Sequence, residues 1–187
     1  VKKIKICGNL KYFGKSKKIL DKNTKKLFRN RLIFCAASTH YNEELFIGKI
    51  HKELRLKYNN LLTILIPRHI NRSEAITNEL ENIDLKIITR SSKKKISKNT
   101  DIYMIDTYGE TSRFYGLSNI TFLGGSLVPH GGQNPLEPAR MGSYILHGSN
   151  IQNFIEIYTL LSKLNISSKI NNIIHMKKMI IKKIKYK

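Results

Sequence analysis

The chain has 187 residues, of which 41% are hydrophobic, so it can bury the core of a globular domain. This composition excludes a disordered protein, and no apolar run approaches the ~20 residues of a membrane-spanning helix. The formal net charge is +21. The basic residues of the chain concentrate in 2–31 and in 163–187, a segment without Asp or Glu.

Two explanations of this charge are open. A functional basic surface would bind nucleic acid, anionic lipid or an acidic substrate. A composition crowded with Lys, Ile and Asn would instead leave a solvated face without a partner. The first residues show no signal peptide, and the start at Val1 in strand-like sequence suggests a piece of a longer chain. Cys7 and Cys35 lie in apolar stretches and are expected to be buried free thiols, as in a reducing cytoplasm.

The predicted elements alternate between strands and helices. An alternating run predicts a short strand at 3–7, and short apolar runs predict strands at 32–37, 61–66, 85–89, 102–105, 120–123 and 144–146. Helical spacing and capping residues predict helices at 43–58, 73–80, 110–115, 134–141 and 151–164, with a helical rhythm again from Ile170. A helix is also expected in the basic, poorly periodic segment 15–31. The fold class is therefore α/β, with a Rossmann-like parallel sheet covered by helices on both faces. We expect one domain over 1–187, with a core at about 4–164 and a basic helical tail at 165–187.

Four polar clusters follow predicted strands. They are Ser38-Thr39-His40, Pro67-Arg68-His69, Asp106–Glu110 and Gly124–Glu137. Ligands bind outside the carboxyl ends of the strands in open parallel sheets, so these clusters are expected to meet at one binding edge.

The glycine-rich cluster carries the strongest local signal. A strand ends at Gly124-Gly125-Ser126, Gly131-Gly132 gives a second flexible point, and a helix is expected to start at Asn134. Asn134 suits an N-cap, Pro135 the first helical position and Glu137 the third. The backbone N–H groups of such a loop can face an anion, which favours a phosphate or sugar-nucleotide site. Tight turns alone also explain the glycines, and a capping box explains Asn134 and Glu137 as well as ribose binding does.

The other polar residues have two explanations each. Arg68 is either a surface cation or a phosphate ligand. His40, His69 and His130 are candidates for hydrogen bonds to phosphate or sugar, and no spacing typical of a metal site is present. Ser38, Thr39, Glu43 and Glu44 fit helix capping equally well.

The clusters together resemble the bacterial Kdo transferases, the glycosyltransferases of lipid A that use CMP-Kdo. Gly-Gly-Ser-Leu-Val-Pro-His-Gly-Gly-Gln-Asn-Pro-Leu-Glu-Pro-Ala at 124–139 is similar to that family's signature. The similarity continues, in the same order, in Gly8-Asn9-Leu10-Lys11, in Ser38-Thr39-His40 with Glu43-Glu44, in Leu65–His69, in Asp106–Glu110 and in Phe114-Tyr115. It covers most of 4–155 and fades beyond about 160.

The resemblance implies a GT-B glycosyltransferase of which this chain is the carboxy-terminal, donor-binding half. The nucleotide contacts that it implies are Pro67, Arg68, Tyr108, Gly109, Glu110, Asn134, Pro135, Leu136 and Glu137. Further donor contacts would come from Ser38, Thr39, His40, His69, Gly125, Ser126 and Gly132. Lys11 would stabilise charge on the departing phosphate. No metal or redox cofactor is implied.

The implied partners are CMP-Kdo, a lipid A precursor as acceptor, an anionic membrane surface at the cytoplasmic face of the inner membrane, and a separate amino-terminal half. No nucleic acid is expected. The family's general-base glutamate lies in the amino-terminal domain, so we expect this chain to be incomplete alone. Gln133, His130 and His147 depart from the residues that are common in the family. Two alternatives stay open: a basic module that binds nucleic acid or anionic membrane, and an inactive remnant of the enzyme.

Overall fold

A single parallel sheet of seven strands forms the centre of the fold. The computed structural model describes residues 20 and 22–184, so the predicted strand at 3–7, Cys7 and Lys11 lie outside the described residues. The strands are β1 (Leu32–Thr39), β2 (Leu61–Pro67), β3 (Ile87–Thr89), β4 (Ile102–Met104), β5 (Ile120–Leu123), β6 (Tyr144–His147) and β7 (Ser167–Lys169). They are arranged in the order β3-β4-β2-β1-β5-β6-β7, and every pair is parallel.

Helices cover both faces of the sheet, as the alternating pattern predicts. They are α1 (Lys22–Lys26), α2 (Glu43–Arg55), α3 (Ser73–Glu81), α4 (Thr111–Tyr115), α5 (Leu136–Arg140), α6 (Ile155–Lys163) and α7 (Ile173–Lys183). One hydrophobic cluster joins the sheet to α2, α3 and α7, and the other joins it to α4 and α6. None of the described helices combines the length and the apolarity that a bilayer-spanning segment needs.

Strand β1 shows why the strands are continuous apolar runs. Leu32, Phe34 and Ala36 belong to the cluster on one face, whereas Cys35 and Ala37 belong to the cluster on the other. Successive side chains of a strand point to opposite faces, and here both faces are covered. Cys35 is a buried free thiol, as predicted, and burial raises its pKa to about 12.

The helix predicted in the basic segment 165–187 is present as α7, but the segment packs on the core instead of forming a tail. Ser167–Lys169 pairs with β6 as the edge strand β7, and Met176 and Ile180 of α7 are fully buried against the core. The core therefore extends through Ile184 rather than ending near 164. Strand β7 is short and polar, so no apolar run in the sequence predicts it. In α7 the two buried residues lie among lysines, so the sequence does not indicate that this helix packs on the core.

A buried polar network ties α2 to the amino ends of the central strands. The ring of His51 is fully buried, with Nδ1 2.8 Å from Oγ1 of Thr63 and Nε2 3.4 Å from Oδ1 of Asp101. Arg55 lies 3.2 Å from the same Asp101 oxygen. Burial lowers the pKa of His51, and this effect outweighs the hydrogen bond to Asp101, which raises it. The folded protein therefore holds His51 neutral.

We expect the free energy of unfolding to fall as the pH is lowered from about 7 to about 5. The unfolded chain takes up a proton on this ring near its ordinary pKa of 6.5, whereas the folded ring stays neutral to lower pH. The unfolded state then binds more protons, so the stabilisation is complete above this window and is lost on acidification. Urea denaturation at a series of pH values measures the unfolding free energy of His51→Gln. Its dependence on pH should be weaker than in the native protein by up to about 1.4 kcal/mol per pH unit. Lys49→Gln, on the exposed side of α2, is the control, and an unchanged slope in His51→Gln would contradict the assignment.

Candidate functional site

The candidate site lies where the strand order changes direction. The chain passes from β1 to β2 on one side, and β5 returns to the other side of β1. The loops that follow β1, β2, β4 and β5 all leave the carboxyl edge of the sheet, as predicted for the four polar clusters. Such a switch point leaves a crevice between neighbouring loops in which ligands of open α/β sheets bind.

A buried carboxylate occupies the centre of this crevice. Glu43, which is 2% exposed, accepts hydrogen bonds from the backbone N–H groups of Gly125 (2.7 Å), Ser126 (3.2 Å) and Leu127 (2.9 Å). It also accepts one from the N–H of His40 at 2.9 Å. The glycine-rich loop does cradle an anion, but the anion belongs to the protein. The expectation that the N–H groups of Gly125, Ser126 and Leu127 face a ligand is therefore wrong, because they donate to Glu43.

The loops after β1 and β5 touch at the level of their backbones. A side chain at Gly124 would place its Cβ 2.5 Å from Cα of Thr39 and closer still to the carbonyl oxygen of Ser38. Ser38 itself has a left-handed backbone, with φ of 54°. Only glycine at 124 permits this approach, so the crevice depends on that residue.

Ser126 and Gly132 hold the loop in shape. The buried hydroxyl of Ser126 donates to the carbonyl of Leu123 at 2.5 Å and accepts from the N–H of Gly148 at 2.9 Å. Gly132 has φ of +77° and donates its N–H to the carbonyl of Gly125 at 2.8 Å, which folds the loop back on itself. The geometry therefore gives both residues a structural role.

Three histidines meet beside this loop. The ring centroid of His40 lies 4.1 Å from that of His130 and 5.8 Å from that of His69. Burial lowers the pKa of His40, and the proximity of His130 lowers it further. With Arg72 and Tyr41, the three rings line a groove of about 370 Å³, which we call the histidine groove. No cluster of His, Cys, Asp or Glu in the described part of the chain has a geometry that could hold a metal ion.

Glu110 is held by three donors that are not among the predicted site residues. Arg90 binds it through Nε and Nη2, both at 3.2 Å, Arg113 through Nη1 at 3.1 Å, and the Thr107 hydroxyl donates to it at 2.5 Å. Burial alone would raise the pKa of Glu110, but the hydrogen bonds from Arg90 and Thr107 outweigh burial and lower it. Glu110 is thus a paired anion that orders its loop.

The loop beside Glu110 is open to solvent. Tyr108 is 80% exposed, and a Cβ built on Gly109, whose φ is +74°, would meet no atom within 4 Å. Arg68 is also exposed; its backbone N–H donates to the carbonyl of Thr39 at 2.9 Å, and its side chain makes no ion pair with a described residue. The aromatic ring and the guanidinium are therefore available to a ligand at this edge.

The structure separates the two explanations of Asn134 and Glu137. Helix α5 begins at Leu136, later than predicted, and the side chain of Asn134 accepts from the N–H of Leu136 at 3.0 Å. Glu137 does not complete a capping box; its carboxylate accepts from the hydroxyl of Ser112 on α4 at 2.5 Å. Pro135 is buried beneath them. Asn134 is thus explained by local structure, whereas Glu137 reaches out of its helix.

The sequence does not predict the hydrogen-bond partners of Glu110 and Glu137. Arg90 lies 20 residues from Glu110, and Ser112 lies 25 residues from Glu137. Neither pair has a helical or strand spacing, so only the fold brings each pair together. Ser38 and Thr39 lie at the end of β1, and Pro67 is the last, buried residue of β2.

Known proteins similar to this chain share both its sequence and its fold. The 3-deoxy-D-manno-octulosonic acid transferase of Haemophilus influenzae is 39% identical over 163 residues, which are 85% of this chain and 38% of the relative. That of Rickettsia felis is 31% identical over 153 residues, which are 80% of this chain and 33% of the relative. By sequence and fold, the chain is a homologue of part of the Kdo transferases. No family model matches the chain.

A solved structure shows which part of the Kdo transferases corresponds to the chain. It is described as the C-terminal CMP-Kdo binding domain of WaaA from Acinetobacter baumannii, and it covers 86% of both chains with a TM-score of 0.80 and 28% identity. The predicted resemblance to Kdo transferases and the α/β fold of the GT-B type are therefore confirmed. The chain spans about a third of the length of the curated relatives it matches.

Proposed function

We propose that this chain binds CMP-Kdo as the donor half of a glycosyltransferase. The full enzyme would transfer Kdo to a lipid A precursor in lipopolysaccharide biosynthesis. The observation that carries the proposal is the fold match to a CMP-Kdo binding domain over 86% of the chain, together with named Kdo transferases at up to 39% identity. The catalytic Lys11 that the resemblance implies belongs to the proposal alone, since it lies outside the described residues.

The geometry of the carboxyl edge suggests how the nucleotide binds. The exposed ring of Tyr108 provides a stacking surface for a base, and the free guanidinium of Arg68 can pair with a phosphate. Glu137, half-buried at the surface of α5, can accept hydrogen bonds from ribose hydroxyls. Pro67, Gly109, Asn134, Pro135 and Leu136 shape the backbone around these three side chains. In this proposal Glu110 orders the Tyr108 loop through Arg90.

The rest of the reaction requires parts that the relatives possess outside the aligned region. In this proposal the acceptor-binding surface and the general base lie in the amino-terminal part of the enzyme. A separate amino-terminal half is therefore a candidate partner. The net charge of +21 favours contact with the anionic cytoplasmic face of the inner membrane. Alone, the chain should bind the donor weakly and catalyse little, because the cleft is only half formed.

Calorimetry of the 187-residue chain with CMP tests this proposal. We expect saturable binding at or below millimolar CMP, with an affinity about tenfold lower in Arg68→Met, since one charge-assisted contact is lost. Arg29→Met is the matched control, because Arg29 is an exposed arginine that precedes β1 at the opposite edge of the sheet. Absence of saturable binding, or equal losses in the two variants, would contradict the proposal. Binding that ignores CMP and collapses with salt would instead favour a basic module.

A further inference from the structure

We propose that the histidine groove binds the carboxylate of the donor sugar acid, and that a proton enters the groove with it. The groove is formed by His40, His69, His130 and Arg72. This inference rests on the proposed function, because it names the subsite of the same donor that recognises the sugar. It goes beyond the nucleotide contacts, which lie around Tyr108, Arg68 and Glu137.

The first observation is an imidazole nitrogen that has no partner. His40 is nine-tenths buried, and its Nε2 makes no hydrogen bond with any described residue. Its Nδ1 lies 3.0 Å from the carbonyl oxygen of Ser38, which can only accept, so Nδ1 carries a proton. In the neutral ring Nε2 is therefore a bare acceptor. If it is protonated, it becomes a donor that needs an anion.

The second observation is that the neighbouring acidic groups are already engaged. Glu43 lies 3.9 Å from Nδ1 of His40, but both of its oxygens accept backbone N–H groups. Glu44 is buried and bound by Nη1 of Arg72 at 3.2 Å and by its Nη2 at 3.4 Å. The remaining groups that face His40 are the rings of His69 and His130. Glu43 faces Nδ1 only, and no carboxylate of the described part lies within ion-pair distance of Nε2 of His40.

The third observation concerns access. His69 and His130 are exposed on two different loops, and the ring of His130 lies over the ring of His40. An anion can therefore meet the two exposed rings first and reach Nε2 of His40 when the side chain of His130 turns aside. Burial and the proximity of His130 lower the pKa of His40, so the ring of His40 is neutral at pH 7 and takes up a proton only when an anion approaches Nε2.

The chemistry of the donor explains why a carboxylate suits the groove. Kdo is a sugar acid, and the carbon that bears the phosphate of CMP-Kdo also bears a carboxylate. The two anionic groups must therefore occupy adjacent subsites. Arg68 is followed directly by His69, so the loop proposed to hold the phosphate also carries one histidine of the groove. The phosphate is the other anion that could occupy the groove, and CMP alone distinguishes the two.

The test compares the dissociation constants of CMP-Kdo and CMP at pH 7.5 and pH 6.0 on the 187-residue chain. We expect CMP-Kdo to bind about 3- to 10-fold more tightly at the lower pH, within the limit that uptake of one proton sets. CMP should not gain affinity, because its monoester phosphate loses negative charge as it is protonated at about pH 6. His40→Gln and His130→Gln should each remove the advantage of CMP-Kdo over CMP. His175→Gln, which changes a histidine on α7 away from the groove, should keep it.

Each outcome has a separate meaning. If CMP binds and the CMP-Kdo advantage survives both groove variants, the inference fails and the proposed function stands. If CMP itself shows the pH dependence and loses affinity in His40→Gln, the phosphate occupies the groove and the inference fails. If neither ligand binds the native chain, the proposed function fails first. His130→Gln changes an exposed side chain, so it keeps the test decisive where His40→Gln does not fold.

Discussion

Glu43→Ala is expected to lower the free energy of unfolding by roughly 3 kcal/mol or more, since a buried N–H group without a partner costs about 1–3 kcal/mol. The wild-type carboxylate accepts from the N–H groups of His40, Gly125, Ser126 and Leu127. Removing it leaves these donors facing an empty buried space. Thermal and urea denaturation measure the loss, and calorimetry should show CMP binding weakened at least about tenfold, as a shift of 1.4 kcal/mol implies.

A matched control separates this effect from the loss of any glutamate on α2. Glu53 is exposed and pairs with Lys177 of α7 at the surface. Glu53→Ala should change stability by about 1 kcal/mol at most, as exposed ion pairs do. Where Glu43→Ala does not fold, Glu43→Gln retains one acceptor oxygen and should give an intermediate loss. Equal stability of the Glu43 and Glu53 variants would disprove the anchoring role of Glu43.

Gly124→Ala is expected to destabilise the protein by about 3 kcal/mol, at the upper end of overpacking costs. The added methyl would lie 2.5 Å from Cα of Thr39 and would also overlap the carbonyl oxygen of Ser38. Both are backbone atoms of the neighbouring loop, so no side-chain rotation relieves the overlap. The ends of β1 and β5 must separate, which also displaces the Glu43 carboxylate.

The control for Gly124 is a glycine in an open position. A Cβ at Gly116 would come no closer than 3.7 Å to any atom, the Cε of Met141. Gly116→Ala should therefore stay within about 0.5 kcal/mol of the native protein. Denaturation midpoints of the two variants decide the matter, and similar midpoints would show that the crevice tolerates separation of its loops.

Together these two positions show that the glycine-rich loop is a scaffold as much as a ligand site. Its N–H groups at Gly125, Ser126 and Leu127 donate hydrogen bonds to Glu43. The hydroxyl of Ser126 donates to a backbone carbonyl. The side chains proposed for a ligand are Arg68, Tyr108 and Glu137, together with the three histidines of the groove, of which His40 is buried. This division explains why mutations at the loop should change stability and binding together.

The sequence by itself determined the class of the fold and the edge at which the site lies. Continuous apolar runs at 32–37, 61–66 and 120–123 are local signals of strands covered on both faces, and their polar ends had to meet at the carboxyl edge of a parallel sheet. The order of six motifs also sufficed to indicate the relation to Kdo transferases, which the relatives and the solved structure confirm.

Only the tertiary structure decided which polar groups are bound within the protein and which remain for a ligand. Glu43 and Gly125 are 82 residues apart, and Arg90 and Glu110 are 20 residues apart, so no local spacing predicts either contact. The same holds for β7, which is defined by its pairing with β6 rather than by its own polar residues. Local propensity specifies elements, whereas hydrogen bonds between distant residues exist only after the sheet has placed their loops side by side.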